Sequence, residues 1–531
     1  MCGGELRRGQ KLSAAPKPLY LAARLPVAEL DKSAYYYETP SALRSKLQFF
    51  FLGDEDPVLI EVWRFRHPSG VRRHKMSRNV IYYGRIVHSR SLKDLQISPK
   101  AALGVNGDGI IEFFDEKVNS GVEAAGKYAG FDGANVITLK PLQFLFPGLI
   151  DTHMHAPQWP NLAIGMEGDN LEWRENYTDP LEVQYKDTNR ARRVYSEMVQ
   201  KELENGSTTV AYNSTIHYEA TNILSDMCLK YGQRAIVGKN CMLVNATHGN
   251  WEDSVEQSLE DEMKSITHIK TIDPEGKLVL PCVQPRGGSF VPPALMKGLG
   301  EMSHQGGHLY HVQTHMAETT MDVARMRKLH PDFHEYSDMY DHYGLLHEKC
   351  ILAHCCHLSD HDIGMVAKRG AGISHNPNSN TCLRAGELKV RQLLDAGVKV
   401  GLGTDCSAGY SPSILDAMRQ ASNVSRHLVM HLGDPVWKLS IEEIIFLGTL
   451  GGAQVCGLQD KIGNFVVGKC FDALLIDVGL DDNINVCGWE QDDLSLVKKW
   501  IFLGDDRSIR LVWVNGKVVS GKDMIASQLL N

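Results

Sequence analysis

Pro147-Gly148-Leu149-Ile150-Asp151-Thr152-His153-Met154-His155 is the stretch on which the fold turns. It runs from an apolar segment into two imidazoles at positions i and i+2. On a β-strand, side chains two apart point to the same side, so His153 and His155 converge on one point; a helix would send them to different faces. Imidazole is the commonest metal-binding side chain. The pair alone is a weak signal, because core and surface histidines fall two apart by chance. Its weight depends on what the rest of the chain brings to the same place.

Around this stretch a strand-then-helix pattern repeats. Strands are expected at 145–151, 208–213, 235–241, 278–284, 309–314, 351–355, 372–375 and 398–404. In the helical segment 190–205, Val194, Tyr195, Met198, Val199 and Leu203 share a face and Gly206 ends the run. Segment 413–424 is a second case, with Ile414, Leu415, Met418 and Ala421 inward. Eight such units predict an α/β fold, a (β/α)8 TIM-type barrel over residues 144–455. A doubly wound open sheet is the alternative, but the chain has neither a Gly-rich dinucleotide fingerprint nor a phosphate loop. Segments 80–87, 104–114, 471–476 and 511–519 read as strands and hairpins. They predict a small β-sandwich built from both ends of the chain, residues 80–143 and 456–531.

Residues 1–79 form an N-terminal extension. Arg7, Arg8, Lys11, Lys17 and Arg24 among few acids give a faint transit-peptide character, but serine is sparse and no amphipathic repeat is present. Met76, after the basic run at 72–75, is a candidate alternative start. The reading favoured is a tail packed loosely on the surface. The whole chain, at 531 residues, suits one large α/β domain with an accessory domain. A net charge of −8 gives no basic field to gather nucleic acid or anionic lipid, and no apolar run approaches a membrane span. The 12 cysteines are scattered without a C-x-x-C pair, which points to reduced thiols and a cytoplasmic location.

Barrel chemistry sits at the C-terminal ends of strands. Here strand one ends in His153 and His155, strand five in His315 with Glu318 three residues on, strand six in His354 and strand eight in Asp405. Singly, each has an ordinary structural role: a satisfied histidine, a helix cap, a first-turn acid. Together they predict a metal site. His and carboxylate donors without thiolate favour zinc or iron(II). Strand four ends Gln284-Pro285-Arg286-Gly287-Gly288, with no lysine or acid to bridge a second metal, so one ion is expected. A metal ion makes a water it holds nucleophilic near neutral pH. Asp405 can bind metal and orient that water, His354 can hold it by a hydrogen bond, and Glu318 can carry a proton to a leaving or ring nitrogen. The chemistry expected is hydrolytic attack on an sp² carbon bearing nitrogen.

FPGLIDTHMHAPQ, HMAET, AHCCHLS, SHNPNSN and GLGTDCSAGYSPS, with LEWRENYTDP, TLGGAQVCGL, IGNFVVGKCFDALLI and FLGDDRSI, resemble the amidohydrolase superfamily and within it the guanine deaminase family. The resemblance spans roughly residues 80–520. It implies a barrel with a β-sandwich, one Zn2+ per subunit, conversion of guanine and water to xanthine and ammonia, and a homodimer. It also implies zinc held by His153, His155, His315 and Asp405, with Glu318 as proton shuttle and His354 beside the attacking water. Gln158 and Arg286 would read the purine's polar edge, with Gly287, His315 and Asp405 also at the substrate.

Two departures touch recognition. Gly287 stands where the family usually has an aromatic after the strand-four arginine, which removes a stacking ring and predicts a widened pocket. Trp159-Pro160-Asn161-Leu162-Ala163 replaces a turn of small residues, and Trp159 is expected either to refill the pocket or to pack internally. The alternatives are therefore a deaminase of another amino-heterocycle, such as a pterin or triazine, and an interaction protein on the same scaffold. The full ligand set argues against the latter. A nucleic-acid deaminase would show an H-x-E and P-C-x-x-C pattern, absent here.

Overall fold

The computed structural model describes residues 79–480 and 483–523; the readings of the N-terminal segment before residue 79 fall outside them. Sixteen strands form among the described residues. β1 (Val80–Ser91), β2 (Asp94–Val105), β3 (Ile111–Asp115), β4 (Asn135–Thr138) and β5 (Gln143–Pro147) precede the barrel. The barrel is β6 (Leu149–His155), β7 (Ser207–Asn213), β8 (Arg234–Gly238), β9 (Val279–Val283), β10 (His311–Met316), β11 (Cys350–His354), β12 (Gly372–His375) and β13 (Lys399–Leu402). β14 (Ala473–Asp477), β15 (Ile509–Val514) and β16 (Lys517–Ser520) return to the first group.

β6 to β13 run parallel, each paired with its neighbour in chain order. The ring closes where Asp405 N donates to His153 O at 2.9 Å and His155 N to Cys406 O at 3.0 Å. The Thr152 hydroxyl reaches Leu402 O at 2.9 Å across the same seam. Ile150, Ala211, Ile236, Cys282 and Ile351 make one buried cluster with Ala453, Val455, Cys456, Leu458 and Ile462, so the helix Leu450–Val455 and the residues after it fill the barrel from its floor. The expected helices form at Thr188–Glu204, capped by Asp187, and at Ile414–Leu432, longer than expected and ended by Gly433 in the left-handed region.

The accessory strands form one hydrogen-bonded sheet in the order β16-β15-β14-β5-β1-β2-β3, with β4 on β1. Both ends of the chain contribute to it, as expected. The strand expected at 145–151 is two strands. β5 pairs antiparallel with β14, Leu145 opposite Leu475, whereas β6 pairs in parallel with β7. The apolar run is continuous because both halves are buried, so no polarity change marks the break. The break falls at Gly148, where a Cβ would lie 2.0 Å from Thr208 Oγ1.

No helix among the described residues is long and apolar enough to cross a membrane, and the eleven described cysteines are all free. A buried ion pair ties sheet to barrel. Arg234, opening β8, donates to Asp472 through Nε at 3.1 Å and through a terminal nitrogen at 3.3 Å, and Asn515 N reaches the same carboxylate at 2.7 Å. Removing one partner strands the other's charge in the interior. Asp472→Ala should therefore cost about 3–5 kcal/mol and lower the melting temperature, while Arg234→Met/Asp472→Leu should recover most of the loss; equal melting of Asp472→Ala and the parent would contradict this.

Candidate active site

His153, His155, His315, His354 and Asp405 converge at the C-terminal mouth of the barrel. His153 Nε2 lies 3.3 Å and His155 Nε2 3.6 Å from Asp405 Oδ1, and His354 Nε2 lies 3.7 Å from Asp405 Oδ2. His155 Nε2 and His315 Nε2 are 3.1 Å apart. Glu318 Oε1 is 3.8 Å from His354 Nε2. Every metal-site residue expected from the sequence is thus in one cluster, together with Glu318.

The backbone beneath the cluster is strained in a way that aims it. Ala317, His354, Cys355 and Asp405 have φ of 49°, 72°, 58° and 46°, left-handed conformations that cost a non-glycine residue about 1–3 kcal/mol each. They turn the chain at three strand ends. Asp151 secures the seam, its carboxylate accepting from His153 N and Thr404 N at 3.1 Å and from Thr404 Oγ1 at 2.5 Å. Burial pushes that carboxyl up to about 7, against the pull of those bonds. Gly403 has no alternative, since a Cβ there would meet Asn376 Oδ1 at 2.3 Å and Ser374 Oγ at 2.6 Å.

The outer nitrogens of the imidazoles fix what the inner ones can do. His315 Nδ1 faces Arg286 O at 2.5 Å. A carbonyl only accepts, so Nδ1 carries the proton and Nε2 presents a bare lone pair. His153 Nδ1 faces Gln313 Oε1 at 2.8 Å, and His354 Nδ1 faces Asn380 Oδ1 at 2.9 Å. The Nε2 atoms of His153 and His354 are buried without a hydrogen-bond partner. Burial, then the neighbouring imidazoles, hold His155 and His315 well below the usual histidine range, so both are neutral. Burial raises the Asp405 carboxyl, but His354 and His153 outweigh it and the net direction is down. The neutral imidazoles of His155 and His315 thus stand beside an ionised carboxylate, an arrangement that suits a cation. Two sets, His153 with His155 and His315, and His153 with His354 and Asp405, bring their ligand atoms within 4.8 Å of one another. The donor set fits a divalent metal ion of the zinc type.

A cavity of about 350 Å³ opens beside the cluster, lined by His155, Gln158, Arg286, His315, Glu318, His354 and Asp405 among others. Gln158 and Arg286, expected from the sequence to read a substrate, meet at one buried acid. Gln158 Nε2 donates to Glu182 Oε1 at 2.8 Å, and Arg286 donates to Glu182 Oε2 at 3.1 Å. The Gln158 Oε1 is left buried without a partner. Asn250 Nδ2 adds a 3.0 Å bond to Glu182. Glu182 was not legible as a site residue, because nothing in its local sequence distinguishes it from a surface helix acid.

Gly287 departs from expectation. It forms a bridge with His315 and lies behind the cavity wall rather than in it. Phe290 packs beside it: Phe290 N donates to Gly287 O at 3.0 Å, and its ring lies 3.5 Å from where a Gly287 Cβ would be. Phe290 lines the cavity, backed by the guanidiniums of Arg174 at 4.8 Å and Arg286 at 5.7 Å from its ring centroid. Trp159 does not line the cavity; its Nε1 donates to Glu197 on the helix Thr188–Glu204, at 3.3 Å. Asn170, Trp173 and Arg174 also line the cavity and went unassigned in the sequence, being carried there by the long segment after β6.

A profile of the amidohydrolase family matches residues 144–519. The chain is 41% identical over 449 residues to a probable guanine deaminase of Schizosaccharomyces pombe, covering 84% of each chain. It is 37% identical over 443 residues to the guanine deaminase of Homo sapiens, covering 83% of this chain and 96% of the relative. The crystal structure of guanine deaminase from C. acetobutylicum with guanine bound in its active site superposes with a TM-score of 0.76 at 30% identity, over 83% of this chain and all of that one.

The donor set makes a direct prediction. Zinc added to metal-free protein should raise the melting temperature, with a stabilisation of about 2.7 kcal/mol at a hundredfold excess over Kd, and His153→Ala should abolish the gain. An equal gain in His153→Ala would place the ion elsewhere.

Proposed function

We propose that this chain, which belongs to the amidohydrolase family, hydrolyses guanine to xanthine and ammonia using one zinc ion per subunit. One observation carries the reading: Gln158 and Arg286, groups able to read a purine's polar edge, face the same cavity as the ligand cluster and Glu318. The guanine deaminases that the chain matches along most of its length point the same way.

His153, His155, His315 and Asp405 would hold the zinc, which when bound supplies a water acidified to near neutral pH. Around that water the chain's own groups divide the work. His354 lies between Glu318 and Asp405. Burial lowers its pKa, but those two carboxylates outweigh burial and hold it above the ordinary value. It is suited to donate a hydrogen bond and to stabilise negative charge developing on the substrate carbon's oxygen. Burial pushes Glu318 above the ordinary glutamate range, suiting it to carry the water's two protons in turn, the first to a ring nitrogen and the second to the departing amine.

Gln158 retains a buried acceptor, Oε1, for an N–H on the base, and Arg286 offers donors to a carbonyl. Glu182 orients both, and Phe290 offers a flat apolar face for the ring. The resemblance further implies a cytoplasmic homodimer. Phe290, packed beside Gly287 and lining the cavity, supports guanine over the rival reading of a bulkier heterocycle in a pocket widened at Gly287.

Glu318→Gln should retain zinc and lower kcat by about 10²–10⁴. In the parent, kcat/KM should fall as pH drops through the raised Glu318 pKa, so the acid limb should lie above the ordinary glutamate range near 4.5. Ammonia release from guanine, pterin, adenine, cytosine and ammeline checks the substrate: release from another compound but not from guanine would overturn the assignment, and near-parental turnover by Glu318→Gln would remove Glu318 from the mechanism.

A further inference from the structure

Glu318 has a partner that the mechanism above does not use. Asn170 Nδ2 donates to Glu318 Oε1 at 2.6 Å, from a part of the chain 148 residues away. Its placement is built rather than incidental. Asp169 caps the short helix Asn170–Trp173, accepting from Leu171 N at 2.9 Å and Glu172 N at 3.0 Å, while the Glu172 carboxylate reaches back to Asp169 N. At the other end of the same turn Trp173 is buried against Leu383 and Ala408, and its Nε1 donates to Ile164 O at 3.2 Å. The turn is thus pinned at both ends, and the amide between them is held on the carboxylate.

We infer that Asn170 is a positioning residue that assigns different tasks to the two oxygens of Glu318. The inference rests on the proposed role of Glu318 as proton carrier. An amide N–H donates, and the carbonyl oxygen of a protonated carboxyl is a better acceptor than its hydroxyl oxygen. The bond from Asn170 therefore favours the state in which Oε1, the oxygen nearest to His354, stays unprotonated. The proton taken from water then resides on Oε2, leaves from Oε2 to the ring nitrogen, and the carboxylate returns to its starting charge. Without the amide, the carboxyl can rotate or take its proton on Oε1, where that proton faces His354 instead of the substrate. The cost falls on the proton-transfer steps, since Asn170 holds neither the proposed ligands nor the proposed base-reading groups.

The test is a double-mutant cycle on the zinc-loaded full chain with guanine. Asn170→Ala should lower kcat about tenfold, the scale of one hydrogen bond to a charged group, with KM and zinc content close to parental. Asn170→Asp, which keeps the shape and loses the donor, should fall at least as far, and it serves if the alanine variant folds poorly. In the Glu318→Gln background, Asn170→Ala should cause little further loss, because the task it supports has already gone. Independent, multiplying losses in the double variant, or a loss confined to KM or zinc content, would overturn the inference. Absence of guanine turnover by the parent would instead fail the proposed function.

Discussion

Three imidazole lone pairs and an ionised carboxylate aimed at one buried point are costly unless a positive charge sits among them. Water compensates little, because most of these groups are buried, and among the protein's own groups His354, beside Asp405, offsets only part of the carboxylate's charge. The rest of the site is arranged to keep this convergence intact. Gln313 and Asn380 fix the protonated nitrogens of His153 and His354, the Arg286 carbonyl fixes that of His315, and Asp151 ties β6 to the turn bearing Asp405. The left-handed backbone at Ala317, His354 and Asp405 is the conformational cost of bringing ligands from separate strands to one place.

The cluster of histidines with Asp405 and the proposed base-reading groups are mechanically one unit. Arg286 holds His315 through its backbone and Glu182 through its side chain. Glu182 in turn holds Gln158, which follows the first histidine pair by three residues. Displacement of the cavity wall is therefore transmitted to the ligands within one or two bonds. The long segment after β6 supplies Gln158, Asn170, Trp173, Arg174 and Glu182, so one insertion furnishes much of the cavity's chemistry on a barrel whose strand ends furnish the clustered histidines and Asp405.

The barrel, and the histidines and Asp405 gathered at its mouth, were legible in the sequence because both obey local rules. A strand's alternation places His153 with His155, and an apolar strand followed by an amphipathic helix recurs eight times. The boundary at Gly148 was not legible, since β5 and β6 are both buried and the change from antiparallel to parallel pairing leaves no mark in composition. Glu182 and Asn170 were hidden for another reason: their importance comes from partners about 100 residues or more away. Gly287 itself carries no ring, but the turn from Gly287 to Phe290 brings an aromatic to the cavity three residues later, which position-by-position reading of the motif does not show.

Zinc K-edge X-ray absorption on the purified, metal-loaded chain addresses the central claim most directly. The account predicts a shell of nitrogen and oxygen at about 2.0–2.2 Å, with the outer-shell signature of several imidazoles and no sulfur. A sulfur shell, or a water-only shell without imidazole, would contradict it.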